Sequence, residues 1–215
     1  MEVGGEVDPS PSRLRRKDRT NRFIGRNSLT ISMATSKTGS FYLTEDVALT
    51  GGAADGSRFQ ATIDLGAYVN VPTGQAIAIE SVDFIYQNGN LYDGNVEAML
   101  AANGAISAQL TDLNPGTAFV SATDHSLISS GSMNVDVANN IATMVNDLYP
   151  DNFGPASLSE AFMVVNDTLY LVAGNDGSAV GGATVRVTAR IRCRVVKLSN
   201  KDWMAIAIQS TAADN

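Results

Sequence analysis

The sequence predicts an all-β domain, and three observations support this prediction. Two long segments, Arg58–Val71 and Ala183–Leu198, alternate apolar and polar residues with the period of two that a half-buried strand requires. Gly, Ala, Ser, Thr and Val dominate the chain, which favours strands over long charged helices. Turn signals such as Pro72-Thr73-Gly74 and Asn103-Gly104 separate the shorter apolar runs.

Read from the N-terminus, the pattern defines about eight strands joined by turns. Within Ala76–Gln87 the apolar positions change parity near Glu80-Ser81, which predicts a β-bulge or a bend. Ala161–Ala173 is either a strand pair or one bent strand around Asn166-Asp167. The full set of strand segments is Ser40–Leu49, Arg58–Val71, Ala76–Gln87, Val96–Leu100, Ala105–Leu110, Thr117–Ala122, Ala161–Ala173 and Ala183–Leu198.

Two segments depart from the strand pattern and predict helices. Ser132–Leu148 is interpreted as an amphipathic helix with Ser132 near its N-cap. Its apolar residues recur at helical spacing, at Val137, Ile141, Val145 and Leu148. Ser199 followed by Asp202 predicts a capping box for a short C-terminal helix through Gln209, with a strand as the alternative.

These elements fit one sizeable domain with an extension at its N-terminus. With 215 residues, of which 44% are hydrophobic, the chain can bury a real core. Eight strands, long connections and one inserted helix suit a jelly-roll β-sandwich, in which two sheets pack face to face. We therefore predict a flexible basic arm over residues 1–28, a sandwich over residues 29–200 and a C-terminal tail over residues 201–215.

The charges of the chain are segregated, although the net charge is -7. Between Thr38 and Val185 there is one basic residue, Arg58, against sixteen acidic ones. The other basic residues lie almost entirely at the two ends, where a polyanion would be attracted. The N-terminal group, opposed only by Asp18, is Arg13, Arg15, Arg16, Lys17, Arg19, Arg22 and Arg26. The C-terminal group is Arg186, Arg190, Arg192, Arg194, Lys197 and Lys201.

The arm predicts contact with nucleic-acid phosphates, because it is strongly basic and has only Phe23 as an aromatic residue. Such contact would be non-specific. A localisation signal or a solubilising extension are the alternatives.

The last strand predicts a second basic face. Its odd-numbered residues from Val185 to Val195 form an apolar core face, and its even-numbered residues form a row of arginines. The row could pair with acids on neighbouring strands, contact a partner subunit or contact phosphates. Its members are Arg186, Arg190, Arg192 and Arg194.

The sequence shows no catalytic constellation, so we expect no enzyme. The single histidine and single cysteine, His125 and Cys193, cannot form a conventional structural zinc site in one chain. Cys193 falls on an apolar face and is predicted to be a buried, inert thiol. Asp124, His125 and Ser126 are adjacent in sequence, so their side chains do not converge as a catalytic triad, and His125 is predicted to be a turn residue.

No cofactor is expected, with structural calcium at a subunit interface as the one alternative. Calcium requires several converging oxygen ligands, and the alternative for such acids is ordinary solvation. The candidate ligands surround the segment after the predicted helix and are Asp147, Asp151, Glu160 and Asp167. No apolar stretch of about 18 residues is present, so no membrane span is expected.

This layout resembles the capsid proteins of small icosahedral viruses with a single jelly roll. The residues that carry the resemblance are the arm Arg13-Leu14-Arg15-Arg16-Lys17-Asp18-Arg19 and the closing strand Val185–Lys197. The resemblance implies a structural protein of the virion, assembled inside the host cell, that associates with itself into a shell. It also implies that Arg13 through Arg26 contact the genome.

Two other kinds of protein fit parts of the pattern. One is a decoration, spike or filament subunit, in which the arm threads into a neighbouring subunit instead of binding nucleic acid. The other is a carbohydrate-binding β-sandwich, for which the single tryptophan, Trp203, lies in a terminal segment and not in a loop between strands.

Overall fold

The computed structural model describes residues 34–90, 95–146 and 161–211. Within these ranges the chain forms ten strands, two short 3-10 helices and one α-helix. The strands are β1 (Thr35–Ser36), β2 (Phe41–Leu49), β3 (Arg58–Asp64), β4 (Gln75–Asn88), β5 (Gly104–Thr111), β6 (Leu127–Asp136), β7 (Ile141–Asn146), β8 (Phe162–Val164), β9 (Thr168–Asp176) and β10 (Val185–Lys197). The 3-10 helices are Val71–Thr73 and Val96–Met99, and the α-helix, α1, is Asn200–Thr211.

The strands form two antiparallel sheets. In the first sheet, β10 lies between β4 on one side and both β1 and β2 on the other, and β8 extends the sheet beyond β4. In the second sheet the order is β3-β9-β5-β6-β7. We call these sheet A and sheet B.

The strand order is that of a jelly roll. Strand β2 pairs with β10, β3 with β9, β4 with β8 and β5 with β6, all antiparallel. These four nested pairs are what a long hairpin produces when it is rolled into two sheets, which is the arrangement of an eight-stranded jelly roll. Strands β1 and β7 are additions at the sheet edges. The predicted fold class is therefore confirmed by the pairing itself.

The core lies between the two sheets, and β10 contributes its apolar face as predicted. Val185, Val187, Ala189, Ile191 and Cys193 are all fully buried. Facing side chains from sheet B complete the same cluster. Its fully buried members from β5 and β9 include Ile106, Leu110, Leu169 and Leu171. The alternation in the sequence thus decides which face of β10 is covered.

The predicted bulge in β4 is present at Glu80. In the pairing with β10, Cys193 lies opposite Ile79 and Arg192 opposite Ser81, so Glu80 is the extra residue. Ile77 and Ile79 point into the core before it, and Val82 and Phe84 point into the core after it. The extra residue therefore explains the parity change, and it directs the Glu80 side chain to the outer face of sheet A.

The helix predicted over Ser132–Leu148 is wrong where the structure describes it, because this region forms the β6–β7 hairpin. Val137, Ile141 and Val145 are four residues apart, and that spacing has the same parity as a strand, so it does not distinguish the two structures. The turn between the two strands favours the hairpin, because Asn140 has a left-handed backbone with φ 53° and Asp136 accepts hydrogen bonds from Asn139. Leu148 lies outside the described residues.

Two short predicted strands are also wrong. Val96–Leu100 is mostly the 3-10 helix Val96–Met99, and Thr117–Ala122 is part of the irregular β5–β6 connection. In that connection, Val120 donates its N–H to Gln109 Oε1 and accepts from Gln109 Nε2, at 2.8 and 3.0 Å. The side-chain amide of Gln109 therefore satisfies the backbone groups of Val120, which a neighbouring strand would bind if this segment were a strand. Ala161–Ala173 contains two strands, β8 and the first part of β9, and not one bent strand. The two strands lie in different sheets and do not pair with each other.

The predicted C-terminal helix is confirmed. Ser199 Oγ accepts from the backbone N–H of Asp202 at 3.2 Å and donates to its carboxylate at 2.6 Å. Helix α1 packs on the outer face of sheet A, where Trp203, Ile206 and Ala207 join a second apolar cluster. The buried members of that cluster are Ala76, Ala78, Val165, Val196 and Leu198. One end of this outer face is therefore covered and the remainder carries the arginines.

We expect Gly131→Ala to destabilise the fold by about 1–3 kcal/mol, because overpacking displaces core side chains. Gly131 lies on β6 against two aromatic residues of β4, and an added Cβ would lie 2.9 Å from Phe84 Cδ2 and 3.2 Å from Tyr86 Oη. Urea denaturation measures the change. Gly39→Ala is the matched control, because its Cβ would meet nothing within 4 Å. Equal stability of the two variants would contradict the packing described for the core.

Candidate functional site

The row of arginines lies on the outer face of sheet A, as the sequence predicts. Strand β10 is central in this sheet, so Arg186, Arg190 and Arg192 each have a residue of β2 and a residue of β4 beside them. Arg194 lies beyond the end of β2 and has only a β4 partner, Ala78. The seven basic residues of the arm, Arg13 to Arg26, lie outside the described residues. The question for the row is which of its charges are neutralised by neighbouring acids.

Arg192 and Arg194 share one buried carboxylate. Glu80 is 4% exposed, and its Oε2 and Oε1 lie 2.9 Å from Arg192 Nε and 2.8 Å from Arg194 Nε. The N–H of Arg194 is not aligned with Oε1, so this second contact is an ion pair and not a well-formed hydrogen bond. Ser40 Oγ also donates to Oε2, at 2.9 Å. One negative charge therefore compensates two guanidinium groups.

Arg186 pairs with a single acid at the other end of the row. Its Nη1 lies 2.5 Å from Asp46 Oδ2, and both side chains are substantially exposed, at 41% and 43%. An exposed pair of this kind contributes about 0–1 kcal/mol to stability. A shallow polar groove surrounds it, with a volume of about 380 Å³. The groove is lined by Thr44, Glu45, Asp46, Gln87, Asn90, Arg186 and Thr188.

Arg190 differs from the other members of the row. In the part of the chain that the structure describes, no carboxylate lies within ion-pairing distance of it. Its guanidinium instead lies over the ring of Tyr42, 5.0 Å from the centroid, and both residues are exposed. Across β10 its neighbour on β4 is Asp83. Arg190 thus keeps its charge at the surface, next to an exposed aromatic ring.

The row is therefore largely paired with acids, which was one of the three readings of the sequence. Four arginines and the three carboxylates of Asp46, Glu80 and Asp83 leave a local charge of +1, from four minus three. Sequence reasoning missed two members of this face, Glu80 and Tyr42. The parity change marked Glu80 as unusual, but the pairing register that brings it to β10 is not visible in one strand.

The basic residue of the middle section, Arg58, is fully engaged in the fold. Its Nη2 lies 2.6 Å from Asp176 Oδ1, and its Nη1 donates to the backbone oxygen of Asn175 at 2.8 Å. Its guanidinium also lies 4.4 Å from the centre of the Phe119 ring. Arg58 therefore joins the β5–β6 connection to β9 and offers little charge to a partner.

The remaining candidate side chains do not form a reactive site. Cys193 is fully buried, and burial, with a smaller contribution from Glu80, raises the pKa of its thiol to about 12. The predicted inert thiol is confirmed. His125 is exposed in a turn, and Asp124 Oδ1 accepts the backbone N–H of Ser126 at 2.8 Å instead of contacting the imidazole.

The candidate calcium ligands are mostly outside the described ranges. Asp147, Asp151 and Glu160 lie there, and Asp167 Oδ1 accepts the hydroxyl of Thr168 at 3.1 Å. Over residues 34–90, 95–146 and 161–211, no three His, Cys, Asp or Glu residues are grouped so that they could hold a metal ion. Calcium at an interface stays a prediction.

In the same ranges, no helix is long and apolar enough to cross a membrane.

Solved structures with a similar backbone include several from viruses. VP1 of the Trichodysplasia spinulosa-associated polyomavirus is 11% identical, with a TM-score of 0.35 over 78% of this chain and 100% of that one. Desmodium yellow mottle tymovirus is 9% identical, with a TM-score of 0.26 over 93% of this chain and 95% of that one. Cocksfoot mottle virus is 12% identical, with a TM-score of 0.25 over 93% of this chain and 99% of that one.

No protein-family model matches the chain, and no curated protein matches it. Because the TM-scores to these virus structures are all below 0.5, the assignment of the jelly roll rests on the strand pairing and not on these overlaps.

We expect Glu80→Gln to lower the free energy of unfolding by about 1–3 kcal/mol, because it leaves two adjacent arginines without their shared counter-charge. Arg192 is 40% exposed at its side chain and can turn to water, which limits the loss. Asp46→Asn is the control, since it breaks only an exposed pair and should change stability by less than about 1 kcal/mol. Urea denaturation of both variants checks this, and an equal effect would show that the burial of Glu80 is unimportant.

Proposed function

We propose that this chain is a structural subunit of a viral shell that associates with copies of itself and contacts the packaged genome through its basic ends. A complete jelly roll without a grouped set of reactive side chains in its described part supports a role in contact and not in catalysis. The location that goes with this role is the virion.

The observation that supports the genome contact is the pairing of β1, which follows the basic arm in the sequence, with the end of β10. Strand β1 pairs with the last residues of β10, with Thr35 opposite Lys197. Ala34, the first described residue, packs in the same cluster as helix α1, which begins with Asn200 and Lys201. The described basic residues at this end of sheet A are Lys37, which follows β1, Lys197, which ends β10, and Lys201 in the first turn of α1. The arm precedes β1 in the sequence, so binding through the arm would add to this charge.

The chemistry of the arm suits phosphates. From Arg13 to Arg26 the net charge is +6, from seven basic residues minus Asp18. Binding through so many phosphate contacts releases counterions, so it has little sequence preference and falls steeply with added salt. The free charge of Arg190 and its neighbour Tyr42 provide a second, smaller contact on the sandwich itself.

A shell subunit must also associate with copies of itself. A jelly roll presents broad sheet faces and clustered loops, and closed symmetric assemblies of identical subunits use such surfaces repeatedly. Purified full-length protein should form uniform closed particles, visible by electron microscopy. A species that stays monomeric over a range of salt and pH, with its N-terminus intact, would contradict the proposal.

We expect deletion of residues 1–28 to leave the domain folded and to reduce nucleic-acid content. The arm holds few apolar residues, so its loss should change the thermal midpoint little. Absorbance at 260 and 280 nm of purified particles, measured at several salt concentrations, reports the bound nucleic acid.

A matched variant separates charge from length. Replacing the seven basic residues of the arm by Gln keeps the length and should reproduce the loss of nucleic acid. If that variant retains the wild-type content, the arm does not act through its charge. Loss of particles with unchanged binding of a nucleic-acid oligomer would instead favour an arm that threads into a neighbouring subunit. If the deletion variant packages normally, Arg190→Ala in that background tests the row on β10.

A further inference from the structure

One carboxyl group is buried at the end of β5, where three connections of the sandwich meet. Asp112 follows the last residue of β5 and is 2% exposed. Its backbone N–H donates to the backbone oxygen of Ser126 at 3.0 Å, which ties the start of the β5–β6 connection to its end. The side chain therefore lies beneath a loop of fourteen residues, from 113 to 126.

Asp112 is also joined to the turn between β8 and β9. Asn166 Nδ2 donates to the backbone oxygen of Asp112 at 2.9 Å and lies 3.4 Å from its Oδ2. The other carboxyl oxygen, Oδ1, is buried and has no hydrogen-bond partner among the described residues. The backbone N–H of Leu65, just after β3, donates to the backbone oxygen of Asp167 at 2.7 Å. The β3–β4 connection is therefore also hydrogen-bonded to the β8–β9 turn.

Among the described residues, no basic side chain forms an ion pair with this carboxyl group. The titratable groups on the elements that meet here are Arg58 and Asp64 on β3, Asp124 and His125 on the β5–β6 connection, Asp167 on the β8–β9 turn, and Tyr170 and Asp176 on β9. Arg58 and Asp176 pair with each other. Burial, partly offset by a backbone hydrogen bond and helped by the negative charge of Asp124, raises the pKa of Asp112 to about 7. A buried carboxyl group with one unpartnered oxygen and an acidic neighbour is stable here only when it is neutral.

We propose that Asp112 is a proton-binding switch, which holds the β5–β6 connection against the β8–β9 turn when it is protonated and releases it when it ionises. Ionisation creates an uncompensated negative charge beside Asp124. Because Oδ1 is buried and unpartnered, this charge is relieved when water reaches it, and we expect the β5–β6 connection to move outward to admit that water. The proposal depends on the folded chain alone and not on the proposed function.

The sign of the pH dependence follows from the two pKa values. The folded-state pKa of about 7 lies above the model value of 3.8, so the folded state binds the proton more tightly than the unfolded state. The stabilisation is complete below the unfolded pKa and is lost as pH rises through the folded pKa. Wild-type protein should therefore lose thermal stability between pH 4 and pH 7, and the loop should open near neutrality.

The test uses the full chain with Asp112→Asn, which stays neutral at every pH. Its thermal midpoint between pH 4 and pH 8 should lack the downward step shown by the wild type. Asp124→Asn removes the acidic neighbour that raises the pKa of Asp112, so the step should remain and move to lower pH. Asp136→Asn is the matched control, because Asp136 is a hairpin carboxylate whose pKa is lowered by hydrogen bonds to Asn139, and it should leave the step unchanged.

A direct measurement keeps the proposal testable if Asp112→Asn fails to fold. The carboxyl carbon of Asp112, followed by NMR in the wild type, should titrate near neutral pH. Amide protection factors of residues 113–126 should fall over the same interval, while those of β10 should not. Titration of Asp112 below pH 5, or a wild-type step that persists in Asp112→Asn, would overturn the proposal.

Discussion

The pairing of β10 is the constraint on which the rest of the structure depends. This strand of thirteen residues pairs with β1 and β2 on one side and with β4 on the other. Its apolar face is the centre of the core, and its opposite face carries four arginines. A central strand cannot move its outward charges away from the sheet, so they must be compensated locally or face solvent.

The bulge at Glu80 satisfies this constraint for half of the row. The extra residue in β4 places two successive side chains, Glu80 and Ser81, on the outer face of sheet A. This brings the Glu80 carboxylate between Arg192 and Arg194 without removing an apolar residue from the core. The same bulge therefore keeps the apolar residues of β4 in the core and supplies the counter-charge for two arginines.

Local pattern was sufficient for the fold class and for the faces of the strands, because alternation of period two is a property of one strand. The β10 faces, the bulge in β4 and the cap at Ser199 were all readable in this way. The β6–β7 hairpin was not, because apolar residues four positions apart satisfy a helix and a strand equally. Asn139-Asn140 was the overlooked turn signal.

The candidate site could be predicted only in part, since its residues come from strands that are distant in sequence. The row of arginines was visible in β10, but its partners depend on register with β2 and β4. Which arginine keeps a free charge is thus a tertiary property. The strand register brings Asp46 to Arg186 and Glu80 to Arg192, and it brings Tyr42 to Arg190.

The segregation of charge has opposite effects at two places in the same domain. At the end of sheet A where β1 pairs with β10, Lys37, Lys197 and Lys201 form no ion pair among the described residues. In the middle section, Arg58 is already held by Asp176, so Asp112 is buried with no cation to stabilise its ionised form. The same distribution therefore leaves basic residues without acidic partners at one end of sheet A and, at the β5–β6 connection, a buried carboxyl group whose pKa is raised to about 7.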